Sequence, residues 1–198
     1  ISPLEIRLRN AIRPGQSLPN GQIADGSTAL FECLEALVPY YDETKPMGIA
    51  CALKNSGLGV GVPDTGRCIV SVEGGKIHVR TGAARIGQGL DAVILKMACQ
   101  ALSLKPSQIV IEQPNTQRTP NSGTTTASRQ TLFTGEAVRV ACENLLAKKQ
   151  SRDWADMDGE EAYGEYTCVT DPIDSTKAHP VSHAAYGYGA QLVILGDD

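Results

Sequence analysis

The sequence predicts an α+β fold with two-layer mixed sheets and helices packed on one face. Three observations point there. Hairpin-like and helix-like stretches follow one another without regular βαβ alternation. Twenty glycines and eleven prolines cut the chain of 198 residues into short elements, which disfavours a bundle of long helices. A hydrophobic fraction of 41% supplies enough apolar side chains for a core.

The elements can be justified in chain order. Ser2-Pro3-Leu4-Glu5 has the form of a capping box: a Ser cap, Pro in the first helical position, and Glu three residues on. A short helix should run to about Ala11 and stop at Arg13-Pro14-Gly15. Leu30, Cys33, Leu34, Leu37 and Val38 repeat at helical spacing, with Ser27 or Thr28 as the expected cap and Pro39 at the end. The Gly-, Pro-, Asn- and Gln-rich stretch from Pro14 to Gly26 reads as a surface loop.

Met47 to Leu53 reads as a strand that runs into Gly57-Leu58-Gly59-Val60-Gly61, where the backbone can pass close to a neighbour. Cys68 to Val72 and Lys76 to Arg80 alternate on either side of Glu73-Gly74-Gly75, a hairpin signal. A largely apolar helix should follow from Leu90 to about Leu104, stopped by Pro106. Gln108 to Glu112 reads as a strand and Gln113 to Gly123 as a polar loop. Beyond Thr124 to Ser128 a long helix should reach about Lys149. Ser151 to Glu161 is acidic and loop-like, and two strands are expected over Gly164 to Thr170 and Ala184 to Leu195.

Composition excludes several function classes. The net charge is −4 and Lys and Arg are scattered, so no basic stripe for nucleic acid is present. Leu90 to Cys99 is interrupted by Asp91 and Lys96 and is too short to span a membrane. No secretory signal opens the sequence. The six cysteines contain no CxxC pair and read as reduced, buried thiols of a cytoplasmic protein.

Two places share one design, in which Gly or small hydroxyl residues lead into a helix. They are Gly87-Gln88-Gly89 before Leu90, and Thr124 to Ser128 with Arg129 before the helix through Val138 and Leu145. Helix N-termini present unpaired N–H groups and a partial positive charge, which suits phosphate. Standard phosphate motifs are absent: no GxxxxGK[ST] occurs, and Val62 stands where the Gly57/Gly59 pattern would need its third glycine. His179 and His183 lack a third metal ligand nearby in sequence. Ser128 lacks a nucleophile elbow, and the acidic cluster from Asp153 to Glu161 reads as a solvated loop.

The run from Thr81 to Arg139 resembles the molybdopterin-binding region of xanthine dehydrogenases, aldehyde oxidases and bacterial aldehyde oxidoreductases. The matching elements are Arg80-Thr81-Gly82, Gly87-Gln88-Gly89-Leu90, Thr119-Pro120-Asn121-Ser122-Gly123, Thr125 to Gln130, and Thr134 to Arg139. The flanks Ser2 to Asn10 and Tyr186 to Leu192 are similar to that family as well. Ile86 stands where many relatives carry Met.

The resemblance implies that residues 1–198 form part of a molybdopterin-binding domain. It would comprise a helical and loop segment (1–45), a cofactor-contacting lobe (46–150), and a loop leading into the next lobe (151–198). It implies a molybdenum–molybdopterin cofactor, with 2Fe–2S clusters and FAD on partner domains or subunits. The parent enzyme would hydroxylate an N-heterocycle or an aldehyde with water-derived oxygen. Gln88 would stand beside the molybdenum, with Ile86, Gly87 and Gly89 against the pterin. Thr126, Ala127, Ser128, Arg129 and Gln130 would offer backbone and side-chain donors to the pterin and its phosphates. Ser-Arg-Gln at 128–130 looks more like bacterial members, whose cofactor is often the cytosine dinucleotide form. No residue here is expected to ligate the metal directly. The family's catalytic glutamate is expected beyond Asp198, so this stretch alone should be inactive. The alternative is a non-catalytic cofactor carrier or assembly module.

Overall fold

The computed structural model describes residues 1–196, so the end of the 151–198 segment and the glutamate expected beyond it lie outside the described residues. The chain divides into two compact units, 1–56 with 170–198, and 57–169. The first unit therefore draws on both ends of the sequence.

In the first unit, α1 (Pro3–Asn10) starts as predicted, with the Ser2 hydroxyl accepting from the Glu5 N–H at 3.0 Å. The Glu5 carboxylate pairs with Arg9 one turn on, so the return half of the capping box is not made. Helix α2 (Leu30–Glu35) is shorter than the apolar spacing suggested, and its cap is Ala29. Ser27 instead bonds to Asp25 at 2.6 Å, while Thr28 accepts from the Tyr188 hydroxyl at 3.1 Å. Leu37 caps a single 3₁₀ turn, Val38–Tyr40, where Pro39 sits.

Strands β1 (Met47–Ser56) and β6 (Ala185–Ile194) pair antiparallel along their whole length, from Met47 opposite Ile194 to Ser56 opposite Ala185. Ile49, Cys51, Tyr188 and Ala190 point from one face onto Leu4, Ala11, Leu30 and Leu34. The predicted loop 14–26 is itself a small folded hairpin, with Gln22 Oε1 accepting from the Ser182 and His183 N–H groups.

The second unit carries a mixed four-stranded sheet, ordered β4-β3-β2-β5. Strands β2 (Asp64–Glu73) and β3 (Lys76–Arg80) form the predicted hairpin, with Gly74 and Gly75 both at positive φ, as a type I′ turn requires. Strand β4 (Ile109–Ile111) lies parallel to β3, joined by helix α3 (Leu90–Leu102) in a single βαβ crossover. Strand β5 (Glu161–Cys168) pairs antiparallel on the far side of β2. Helices α3 and α4 (Gln130–Lys149) cover one face, so the expectation of helices on one side of a mixed sheet is met.

Alternation makes this core. Cys68, Val70 and Val72 of β2 and Ile77 and Val79 of β3 face Leu90, Ile94, Ala98, Val138, Ala141 and Leu145 of the helices. Glycine sets the depth of packing: a Cβ at Gly66 would lie 2.2 Å from the Phe133 carbonyl oxygen, and one at Gly164 would lie 2.2 Å from that of Ala137. Helix α4 thus rests directly on the β2 and β5 backbones. The acidic stretch is partly ordered by burial of Met157, and Asp158 accepts from the Gly74 N–H at 2.7 Å. Among the described residues no helix is long and apolar enough to cross a membrane.

Candidate cofactor groove

Two loops of the second unit meet beside the starts of α3 and α4. The first, 81–89, leaves β3 and ends at Gly89, which caps α3 with φ 75°. Gly87 is also left-handed, at φ 91°, and a Cβ at either position would meet nothing within 4 Å. Glycine is required there by conformation, and the space in front of it is open. The second loop, 112–129, approaches the first at Gly82, whose N–H donates to the Pro120 carbonyl at 2.9 Å, close enough that a Cβ on Gly82 would clash. Thr125 then donates to the Ala84 carbonyl at 2.8 Å.

Between them lies a groove of about 370 Å³, lined by Ile86 and Gln88 on one side and by Thr125 to Thr131 on the other. The starts of α3 and α4 thus border one groove. The lining contains no carboxylate and no thiol. It offers exposed hydroxyls at Thr126, Ser128 and Thr131, the apolar surface of Ile86, and the first-turn N–H groups of a twenty-residue helix. That donor set suits phosphate oxygens and the polar edge of a heterocycle.

The turn before α4 is unusual. Ala127 and Ser128 are both left-handed, at φ 49° and 55°. Each such residue costs on the order of 1–3 kcal/mol and persists only where the surroundings fix it. The Gly57 N–H donates to the Ala127 carbonyl at 3.0 Å, and the Arg129 N–H to that of Thr126 at 3.1 Å. A Cβ at Gly57 would stand 2.8 Å from the Phe133 ring, which is the close backbone approach anticipated for the glycine-rich stretch.

Three side chains differ from expectation. Arg129 borders the groove, but its guanidinium is buried and turned inward. Nε donates to Asp64 at 2.5 Å, Nη1 to the Ser122 and Thr124 carbonyls at 2.7 and 3.0 Å, and Nη2 to that of Thr65 at 2.6 Å. A planar fork surrounded by fixed acceptors saturates within the protein and has little left for a ligand phosphate. Gln130 is likewise buried, donating to Thr125 Oγ1 at 2.8 Å and accepting from Thr134. The Gln88 amide folds back on its own loop, accepting from the Ile86 N–H at 2.8 Å and donating to the Ala84 carbonyl at 3.2 Å. Sequence reasoning missed Asp64, which carries no motif and acts only through the fold.

Glu73, His78 and Glu112 bring three potential metal-ligand atoms within 4.8 Å of one another. Arg80 fills that cluster, donating to Glu73, to Glu112 at 3.0 Å and to Glu161 at 3.4 Å. Its guanidinium supplies the positive charge a cation would otherwise bring, so the cluster is an ion-pair network of half-buried and exposed carboxylates around one buried arginine.

A family model described as molybdopterin cofactor-binding domain matches residues 36–193. An aldehyde oxidoreductase of Megalodesulfovibrio gigas is 36% identical over 161 residues, covering 74% of this chain and 18% of its own length. A putative xanthine dehydrogenase molybdenum-binding subunit of Escherichia coli (strain K12) is 33% identical over 166 residues, 76% of this chain and 22% of its own. The solved aldehyde oxidoreductase from Desulfovibrio gigas superposes with a TM-score of 0.84 at 30% identity, covering 97% of this chain and 24% of that one. The chain thus spans about a fifth of the length of the curated relatives it matches.

Proposed function

The chain belongs to the molybdopterin cofactor-binding domain family, found in molybdenum hydroxylases of the aldehyde oxidoreductase and xanthine dehydrogenase type, and from that premise we propose that its groove holds the pterin and phosphate portion of the cofactor. The observation that carries this reading is the shared lining by Ile86 and Gln88 with Thr125 to Thr131. Backbone N–H groups at 126–127 and 130–131 receive the phosphate oxygens, Ile86 packs on the ring system, and the open space before Gly87 and Gly89 admits it closely. When bound, the cofactor supplies oxidative hydroxylation of a carbon centre. This chain's residues bind and orient it.

In our reading the longer parent protein oxidises an aldehyde or a purine-like heterocycle and passes electrons to 2Fe–2S and FAD components. The cofactor is the cytosine dinucleotide form, which Ser128-Arg129-Gln130 favours by its resemblance to bacterial members. The isolated chain contributes binding and not turnover, in keeping with the fraction of its relatives that it spans.

The test is to incubate the chain with molybdopterin released from a donor molybdoenzyme, remove free pterin by gel filtration, and oxidise what remains to its fluorescent derivative. Pterin should co-elute with the wild-type chain and be displaced by pyrophosphate. Retention no greater than that of Ile86→Asp, which puts a carboxylate in the groove at an exposed position, would contradict the reading.

A further inference from the structure

The Arg129–Asp64 pair lies behind the groove, with side chains only 1% and 3% exposed. Around it the contacts form a brace. Asp64 accepts from the Leu58 N–H through Oδ2 and from Arg129 through Oδ1. Arg129 in turn gathers the carbonyls of Thr65, Ser122 and Thr124 and stacks on the Phe133 ring, 5.3 Å from its centroid. Gly123, at φ 73°, lies so close that a Cβ there would come within 3.1 Å of the guanidinium. The three carbonyls belong to the end of the second loop and the start of β2. Between Thr124 and Arg129 itself lie Ala127 and Ser128, two adjacent residues that adopt left-handed backbone without being glycine. A buried cation with so many backbone acceptors on one loop fixes that loop's path.

We propose that Arg129 and Asp64 are positioning residues for the groove. They hold the 124–128 turn in the conformation that aims its backbone N–H groups at a phosphate-bearing ligand, and they do not touch that ligand themselves. The proposal rests on the groove being a cofactor site, but the brace has a consequence in the ligand-free chain. Without it, Ala127 and Ser128 relax from left-handed conformation, and only the remaining competent fraction binds.

The test compares wild type, Arg129→Gln and Asp64→Asn, each checked for folding by circular dichroism. In the ligand-free chain, left-handed residues give strong intraresidue HN–Hα nuclear Overhauser effects. These should be present at Ala127 and Ser128 in wild type and weakened in both variants. If the competent turn falls to about a tenth of the population, the apparent affinity for inorganic pyrophosphate falls about tenfold. Adding Ala127→Gly to Asp64→Asn should recover binding, because glycine adopts positive φ without a brace and the substitution leaves every hydroxyl of the groove in place. Glycine cannot replace a lost ligand contact, so a failure of this rescue would overturn the positioning role. Unchanged Overhauser effects in folded variants would also overturn it. If Arg129→Gln does not fold, Asp64→Asn, which keeps the side-chain shape, decides. If wild type binds no pyrophosphate, the groove reading fails, while the Overhauser effects still judge the brace.

Discussion

The Thr125 hydroxyl donates to the Ala84 carbonyl at 2.8 Å and ties together the two loops that line the groove. The two residues are 41 positions apart, and the bond joins the approach to α3 with the approach to α4. Thr125→Val keeps the side-chain shape and removes the donor. It also removes the acceptor of Gln130 Nε2, so the loss should be about 1–3 kcal/mol, the usual worth of two such bonds, seen as a drop in urea midpoint. It should also weaken pyrophosphate binding. Unchanged binding would mean that the loops hold their spacing without this link.

Helix α4 rests on the sheet only because Gly164 and Gly66 have no side chains. Gly164→Ala would place a Cβ 2.2 Å from the Ala137 carbonyl oxygen and 2.3 Å from the Ala141 nitrogen. Backbone cannot yield as a flexible side chain does, so the loss should be at the upper end of overpacking, about 3 kcal/mol or more. Gly74→Ala meets nothing within 4 Å and should lose only the smaller amount due to its positive φ. Thermal unfolding of the two variants checks the order, and equal losses would refute the packing argument.

The Arg80 network predicts acid sensitivity. Burial alone would raise the Glu112 carboxyl, but hydrogen bonds from Arg80 and His78 and the nearby charge of Arg118 outweigh it and hold the group below its ordinary value. At Glu73, burial is likewise outweighed by Ser71 and Arg80. In both cases the unfolded chain binds protons more readily than the folded one. The network's contribution is therefore fully present above the unfolded carboxyl value of about 4.3, and is lost as pH falls through the lower folded values. Urea midpoints measured from pH 7 to pH 3 should decline in that window, and Glu112→Gln should flatten the decline. Parallel profiles for the two proteins would contradict this assignment.

Much of this was legible in the sequence because local chemistry and fold agree. The Ser2 cap, the Gly74-Gly75 turn and the order of the strands each follow from residues within a few positions of one another. The α2 cap was misplaced because Ser27 finds Asp25 and Thr28 finds Tyr188, leaving Ala29 at the helix start. The groove's two sides were visible as small residues before helices. The orientation of Arg129 was not, since it depends on Asp64, 65 positions earlier, and on carbonyls that no side-chain pattern encodes. The closing of β1 on β6 is equally long-range.

The six cysteines are all free, and two should behave differently from the rest. Burial pushes the Cys142 thiol up to about 12 and Cys68 well above its ordinary value. Neither forms thiolate near neutral pH, and neither is reached by solvent. Maleimide labelling of the native chain, read by peptide mass spectrometry, should leave both unmodified until the chain is unfolded with urea. Labelling of either as fast as the half-buried Cys33 would show that the core between β2 and α4 opens locally.

The central claim is that two loops form one cofactor groove, and a pyrophosphate titration followed through backbone amide resonances tests it most directly. Saturable shifts should appear together at residues 86–89 and 126–131, with one shared dissociation constant, and should be absent from the His179–His183 segment. Shifts confined to one loop, or two loops saturating independently, would contradict a single groove.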